Sequence, residues 1–117
     1  MKKQFFLLFL TFIIFSCGNS NTPKGIAFAF MTDIKSANYQ EAKKYGTEST
    51  VEMLNMSIKM KDDRKDRPKS KGFKILREEL MGDEATVVYF DEDMQKEEEI
   101  RMIKLDGKWK VDLKMGK

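Results

Sequence analysis

The order of the hydrophobic patterns predicts an α+β fold, with N-terminal helices packed on a curved antiparallel four-stranded sheet. Three observations predict it. Residues 22–61 place apolar side chains at helical spacing behind hydroxyl and amide caps. From Phe73 the period changes to alternation, with β-branched and aromatic residues concentrated in Ala85–Phe90. Asp106-Gly107 stands between two such runs, the strongest short signal for a hairpin. A chain of 117 residues, 41% hydrophobic and 35% charged, fits one globular domain behind its first segment.

That first segment is separate in character. Phe5–Phe15 is apolar apart from Thr11, holds five of the nine phenylalanines and follows Lys2-Lys3. It is too short to cross a ~30 Å hydrocarbon core and has the charged-then-apolar layout of a secretory signal peptide, here residues 1–16. The run ends Ile14-Phe15-Ser16-Cys17-Gly18, which resembles the bacterial lipobox. Ser16 suits a peptidase pocket that admits small side chains. The resemblance implies that the Cys17 sulfur receives a diacylglyceryl group and that its freed amine is then acylated. Residues 17–22 are small, polar and uncharged, as suits a lipidated tether, and the domain is expected over 23–117. No Asp follows Cys17 and no acidic run follows it. By analogy with enterobacterial sorting, this implies a cell-envelope location on the outer membrane, facing the periplasm.

The elements follow in order. Thr22-Pro23 supplies a hydroxyl cap and a proline whose missing N–H costs nothing at the first helical position. The helix is expected to run to about Lys35, burying Ile26, Phe30 and Ile34 with Ala27 and Met31 beside them. Asn38 with Glu41 predicts a capping box and a short helix through Lys44, ended by Gly46, with Tyr39 and Ala42 on one side. Ser49 with Glu52 repeats the pattern and predicts a third helix to about Lys61, with Val51, Leu54 and Ile58 on one face. Residues 61–72 carry six basic and three acidic side chains around Pro68 and Gly72 and are expected to be a solvated linker.

Strands are expected at Phe73–Leu80 and Ala85–Phe90, joined by a turn at Gly82-Asp83. Residues 91–99, with six acidic side chains and one lysine, are expected to form a hairpin loop with strand ends. Strands at Glu99–Leu105 and Lys108–Met115 flank Asp106-Gly107. A two-residue turn there sets Leu105 opposite Lys108, Lys104 opposite Trp109, Met102 opposite Val111 and Ile100 opposite Leu113. Ile100, Met102, Trp109, Val111 and Leu113 then share a face, the Lys104 stem can lie over the indole, and Arg101 meets Asp112 on the other side.

The residue inventory excludes several chemistries. With no histidine and one cysteine, a histidine-based triad, a zinc cluster, a CxxC redox pair and an internal disulfide are ruled out. The formal charge is +3, and +1 without Lys2 and Lys3, which gives no electrostatic case for nucleic acid. Met53, Met56 and Met60 recur at helical spacing, but methionine without His or Cys partners is adaptable core more often than a soft-metal site. Asp91-Glu92-Asp93 with Glu97-Glu98-Glu99 lacks the glycine that an EF-hand loop requires at its sixth position, where Lys96 stands. No metal and no cofactor is expected.

Three helices followed by an antiparallel sheet resemble the nuclear transport factor 2-like superfamily. Thr22-Pro23, Ala37-Asn38-Tyr39-Gln40-Glu41-Ala42-Lys43-Lys44-Tyr45 and Leu105-Asp106-Gly107-Lys108-Trp109-Lys110-Val111-Asp112 are similar to segments of small bacterial lipoproteins of unknown function in that superfamily, some labelled lumazine-binding-like. The resemblance covers residues 22–114. It implies a cone of sheet and helices around a pocket, for which Phe30, Ile34, Leu54, Ile58, Tyr89 and Trp109 are the candidate lining. Enzymes of the superfamily, ketosteroid isomerase among them, use an Asp base and Tyr or Asp donors in the cone. Here Asp33, Tyr39, Tyr45 and Tyr89 are the comparable groups, with Asp33 expected to face solvent beside the buried stripe. No catalytic residues carry over from the lipoproteins. Two readings stand: a non-catalytic, membrane-anchored module that binds an envelope protein or a small apolar ligand, and an enzyme of the ketosteroid-isomerase type with its site in the cone.

Overall fold

Thr22 opens the first helix as its sequence predicts. Its backbone is extended and its hydroxyl accepts from the Gly25 amide at 3.0 Å, with Pro23 at the first helical position. The helix, α1, spans Pro23–Lys35 and buries Ala27, Phe30 and Met31, with Ile26 and Ile34 at the margin of the core. The computed structural model describes residues 21–61 and 69–114. The expected signal segment, Cys17, the tether up to Ser20 and most of the basic linker lie outside the described residues, as does Met115. Among the described residues no helix is long and apolar enough to cross a membrane.

The second helix, α2, spans Tyr39–Ala42 and tightens into a 3-10 turn at Lys43–Tyr45. Asn38 stands at its start, but its side chain caps nothing. The capping box expected from Asn38 and Glu41 is not formed. The left-handed Ala37 (φ 60°) turns the chain sharply, and the Asn38 amide is used on the Asp33 carbonyl at 2.7 Å. The third helix, α3, spans Glu48–Lys61. Its cap is Thr47 rather than Ser49: the Val51 amide donates to the Thr47 carbonyl at 2.9 Å, and the Thr50 amide reaches the Thr47 hydroxyl at 3.4 Å. Ser49 instead donates to the Leu113 carbonyl at 2.6 Å. On α3, Thr50 and Leu54 are buried whereas Val51 and Ile58 are only half-buried, so the inward stripe is rotated from the one expected.

The sheet is an antiparallel meander in the order β1-β2-β3-β4: Phe73–Met81, Glu84–Asp91, Lys96–Leu105 and Lys108–Val111. β1 ends one residue later than expected, at Met81. β3 begins at Lys96, so Glu97–Glu99 are strand residues and the acidic loop shrinks to 92–95. Glutamate is a poor strand former, but here pairing with Val88, Tyr89 and Phe90 decides the matter. The hairpin at Asp106-Gly107 has the expected register, with Leu105–Lys108, Lys104–Trp109 and Met102–Val111 pairs. Both turn residues have positive φ, 51° and 79°, as a type I′ turn requires. β4 ends at Val111 rather than Met115, and the Ile100–Leu113 pair is not made. The Asp112 amide still donates to the Arg101 carbonyl of β3 at 2.9 Å, and from Leu113 the backbone bonds to the N-terminal end of α3 instead.

The helices cover one face of the sheet, α1 touching all four strands. Val87, Ile100, Met102, Trp109 and Val111 meet Ala27, Phe30, Met31, Ala42 and Leu54 there in a single buried cluster. The Lys104 ammonium sits 5.6 Å from the Trp109 ring centroid. β1 is an edge strand, and its pairing to β2 slips by one residue between Ile75 and Arg77, a bulge at Leu76.

Candidate functional site

The resemblance to the nuclear transport factor 2-like superfamily implies a pocket on the helix-covered face. In the structure Phe30, Leu54, Tyr89 and Trp109 belong to the buried cluster, Ile34 packs against it, and Ile58 is half-buried on α3. Five of the six candidate lining residues are thus brought together as core. Interdigitated side chains of this kind hold the helices on the sheet, and a ligand would have to displace them.

The comparable catalytic groups are dispersed around this core. Tyr89 is buried, and burial pushes its phenol up, helped by the Asp91 and Glu98 carboxylates and opposed by Lys35. A phenol in that state stays neutral and can donate a hydrogen bond, but it is no base. Asp33 is half-buried rather than solvent-facing. Burial raises its pKa first and the Glu41 carboxylate second, with Lys44 pulling the other way. Tyr39 and Tyr45 pack against the core, and the Lys44 ammonium stands 5.7 Å from the Tyr45 ring.

The sharpest polar constellation was not among the sequence candidates. Lys35, the last residue of α1, sends its ammonium to Asp91 Oδ1 and Asp93 Oδ2, both at 2.9 Å. Asp91 Oδ1 also accepts the amides of Asp93 at 2.9 Å and Met94 at 3.2 Å, an Asx turn that closes the β2–β3 connection. Asp93 accepts the Ser70 hydroxyl at 2.6 Å and the Lys71 amide at 2.8 Å. Burial works against the Asp91 carboxylate, but the Lys35 ammonium and the two amides outweigh it and hold its pKa below the ordinary range. The Asp93 carboxyl is held far lower by Ser70, Lys71 and Lys35. Burial also works against the Lys35 ammonium, and the bonds to Asp91 and Asp93 override it and raise its pKa. All three groups are fully ionised near neutrality and already partnered, which makes a clasp and not an acid–base pair.

A second cluster joins α3 to the C-terminal strand. The buried Thr50 hydroxyl donates to the Val111 carbonyl at 2.8 Å and accepts the Leu113 amide at 2.7 Å. Thr47 donates its amide to Val111 at 2.9 Å and its hydroxyl to Asp112 Oδ1 at 3.0 Å. Arg101, expected to pair with Asp112, is 4.0 Å from it and 3.7 Å from Glu84, while Asp112 itself is buried.

The sheet face away from the helices carries a shallow depression of about 240 Å³ lined by Met81, Glu84, Ala85, Thr86, Glu99 and Arg101. Two carboxylates, a hydroxyl and a guanidinium in water can recognise a polar surface, but they lack the convergent apolar enclosure of a small-molecule site. Among the described residues no three Cys, Asp or Glu side chains converge as a metal site. A signal for the first clasp was present in Asp91-Glu92-Asp93 at a strand end, where an Asx turn is a natural expectation. Thr47-x-x-Thr50 after Gly46 likewise announced the hydroxyl cap.

Residues 15–112 match the family described as "Domain of unknown function (DUF4878)". No curated protein and no solved structure matches the chain.

Proposed function

The chain belongs to that family, and from this premise we propose that it is a lipoprotein of the bacterial envelope. In this reading Cys17 is lipidated, and the domain is a non-catalytic docking module for an envelope protein. The observation that carries the reading is the lone thiol placed directly after an apolar run and Ser16, behind Lys2-Lys3. Two acyl chains already anchor a protein stably at ~0.8 kcal/mol per buried methylene, so a lipidated Cys17 holds the domain on its membrane. The arrangement of helices on one face of an antiparallel sheet supports a nuclear transport factor 2-like cone as its architecture. Docking is favoured over an apolar ligand because the candidate lining is occupied by core, whereas the open sheet face offers Glu84, Thr86, Glu99 and Arg101 to a partner.

Two measurements test this. The intact mass of protein extracted from membranes should carry diacylglyceryl and acyl groups on Cys17, and Cys17→Ala should change its fractionation; a water-soluble product with a free thiol sinks the anchor. Photocrosslinking in intact envelopes should give a discrete adduct from position 101 and none from position 28 on α1. A small molecule that instead quenches Trp109 fluorescence stoichiometrically would return the site to the helix-covered face.

A further inference from the structure

Asn21 is bound to the far end of the chain. Its side-chain amide donates to the Gly107 carbonyl at 2.9 Å, and its side-chain oxygen accepts the Trp109 amide at 3.0 Å. The start of the described domain is thereby pinned to the β3–β4 turn. The β1–β2 turn lies at the same end of the sheet, where the Lys104 amide donates to the Asp83 carbonyl at 2.8 Å. Three residues separate Cys17 from Asn21, so four backbone steps give a reach of at most about 14 Å even when fully extended. A lipid on Cys17 therefore leaves these two turns little room to stand away from the bilayer.

The composition of this end fits that placement. Leu80, Met81 and Leu105 are 56%, 68% and 45% exposed, large apolar side chains gathered at the two turns. Lys24, Lys104 and Lys108 are exposed around them, with Asp83 and Asp106 the carboxylates at the two turn tips. Long lysine stems can lie along apolar surface while their ammonium groups reach lipid phosphates. At the opposite end of the sheet the turn 92–95 exposes one large apolar residue, Met94, beside the Glu92 and Asp93 carboxylates, a composition suited to water.

We infer that the end of the sheet formed by the turns at Gly82-Asp83 and Asp106-Gly107 rests on the phospholipid surface that holds the Cys17 anchor. Leu80, Met81 and Leu105 enter the interface, and the turn 92–95 points away from it. The inference rests on the proposed lipidation of Cys17. A short tether keeps the effective concentration of the surface on the order of millimolar or above, so three apolar contacts suffice where a free domain would not bind. Glu84 beside the first turn and Glu78 beside Lys24 join Asp83 and Asp106 against the three lysines, so there is no net positive charge to attract the surface, apolar contact dominates, and added salt changes the seating only slightly.

The test uses full-length protein purified from membranes and reconstituted in phosphatidylethanolamine–phosphatidylglycerol vesicles. A water-soluble amine-reactive label is read by mass spectrometry at each lysine, normalised to the rates after the vesicles are dissolved in detergent. Lys24, Lys104 and Lys108 should label several-fold more slowly than Lys71 and Lys96. The difference should persist in high salt and vanish in a Met81→Glu/Leu105→Glu variant, whose positions are exposed and should fold normally. Equal protection of all five lysines, with intact mass showing a lipidated Cys17, overturns the orientation and leaves the anchor standing. An unmodified Cys17 mass removes the anchor and the orientation together. Protection that rises with protein density on the vesicle would assign the patch to a second copy of the chain and overturn the proposal as well.

Discussion

The C-terminal end of α1 and the N-terminal end of α3 are both fastened to the sheet, but by opposite means. At the end of α1 one ammonium holds two carboxylates, with Lys35 shared between Asp91 and Asp93 at 2.9 Å each. At the start of α3 hydroxyls make the contacts: Thr47 donates to the buried Asp112 carboxylate, and Thr50 donates to the Val111 carbonyl at the end of β4 and accepts the Leu113 amide beyond it. The charged clasp is partly wetted and its strength depends on protonation. The hydroxyl clasp is fully buried at Thr50, carries no charge there, and satisfies the Val111 carbonyl and the Leu113 amide. The two ends of one helical layer are therefore held by different contacts, those of Lys35 between charges and those of Thr50 between neutral groups.

Thr50→Val offers the sharpest way to break the comparison. It keeps the shape of the side chain but strands the Leu113 amide in the interior and leaves the Val111 carbonyl with the Thr47 amide alone. A loss of about 3 kcal/mol in urea unfolding is expected, equal at pH 7 and pH 5, while Thr50→Ser should retain most of the stability. Gly46→Ala attacks the same clasp sterically. The new methyl group would lie 2.6 Å from Thr50 Cγ2 and 2.8 Å from Cβ, and the β-branched side chain cannot swing away, so a loss of about 2 kcal/mol is expected.

Lys35→Met tests the charged clasp and should cost about 1–2 kcal/mol at neutral pH. Its signature is the pH dependence. Asp91 and Asp93 are depressed in the folded state, so their contribution is complete above the ordinary Asp pKa of ~3.9 and is lost as pH falls through the lower folded values. Lys35 is raised, so its contribution is complete below the ordinary lysine pKa of ~10.4 and is lost as pH rises through the higher folded value. The wild-type chain should lose stability on acidification below about pH 4, and Lys35→Met should lose less. Parallel pH profiles for the two proteins would remove the distinction between the clasps. The smallest effect is expected from Arg101→Ala, whose long and exposed contacts to Glu84 and Asp112 should change stability by no more than about 0.5 kcal/mol.

Much of the fold was legible because periodicity and turn chemistry are local. Thr22-Pro23 marked the start of α1, Ala85–Phe90 the strand between two others, and Asp106-Gly107 the register of Lys104 against Trp109. Apart from the Asn38–Glu41 box, undone locally by the left-handed Ala37, the errors in element ends share a cause: each needed a distant partner to be known. Ser49 and Thr47 are equally plausible caps in sequence, and the choice is made by the Leu113 carbonyl, which takes Ser49 away. Glu97 and Glu98 looked like loop because their charges are visible and their pairing with Phe90 and Tyr89 is not. β4 was drawn too long because Leu113 alternates correctly, yet its amide is claimed by Thr50. The candidate site was less legible than the fold. Apolar stripes say which side chains turn inward, but not whether they meet each other or leave space between them, and five of the six proposed lining residues meet each other.

The bulge at Leu76 has a consequence for association. An outermost strand whose amides and carbonyls keep a regular spacing invites the same strand of a neighbouring molecule to add to it. Here one extra residue throws that spacing out of step halfway along β1, between Ile75 and Arg77. Lys74, Arg77 and Glu79 then put charge along the strand on both sides of the fault. A second molecule could match one half of the strand or the other, but not both at once. The fault and the charges beside it thus blunt the β1 edge against strand addition by a second copy.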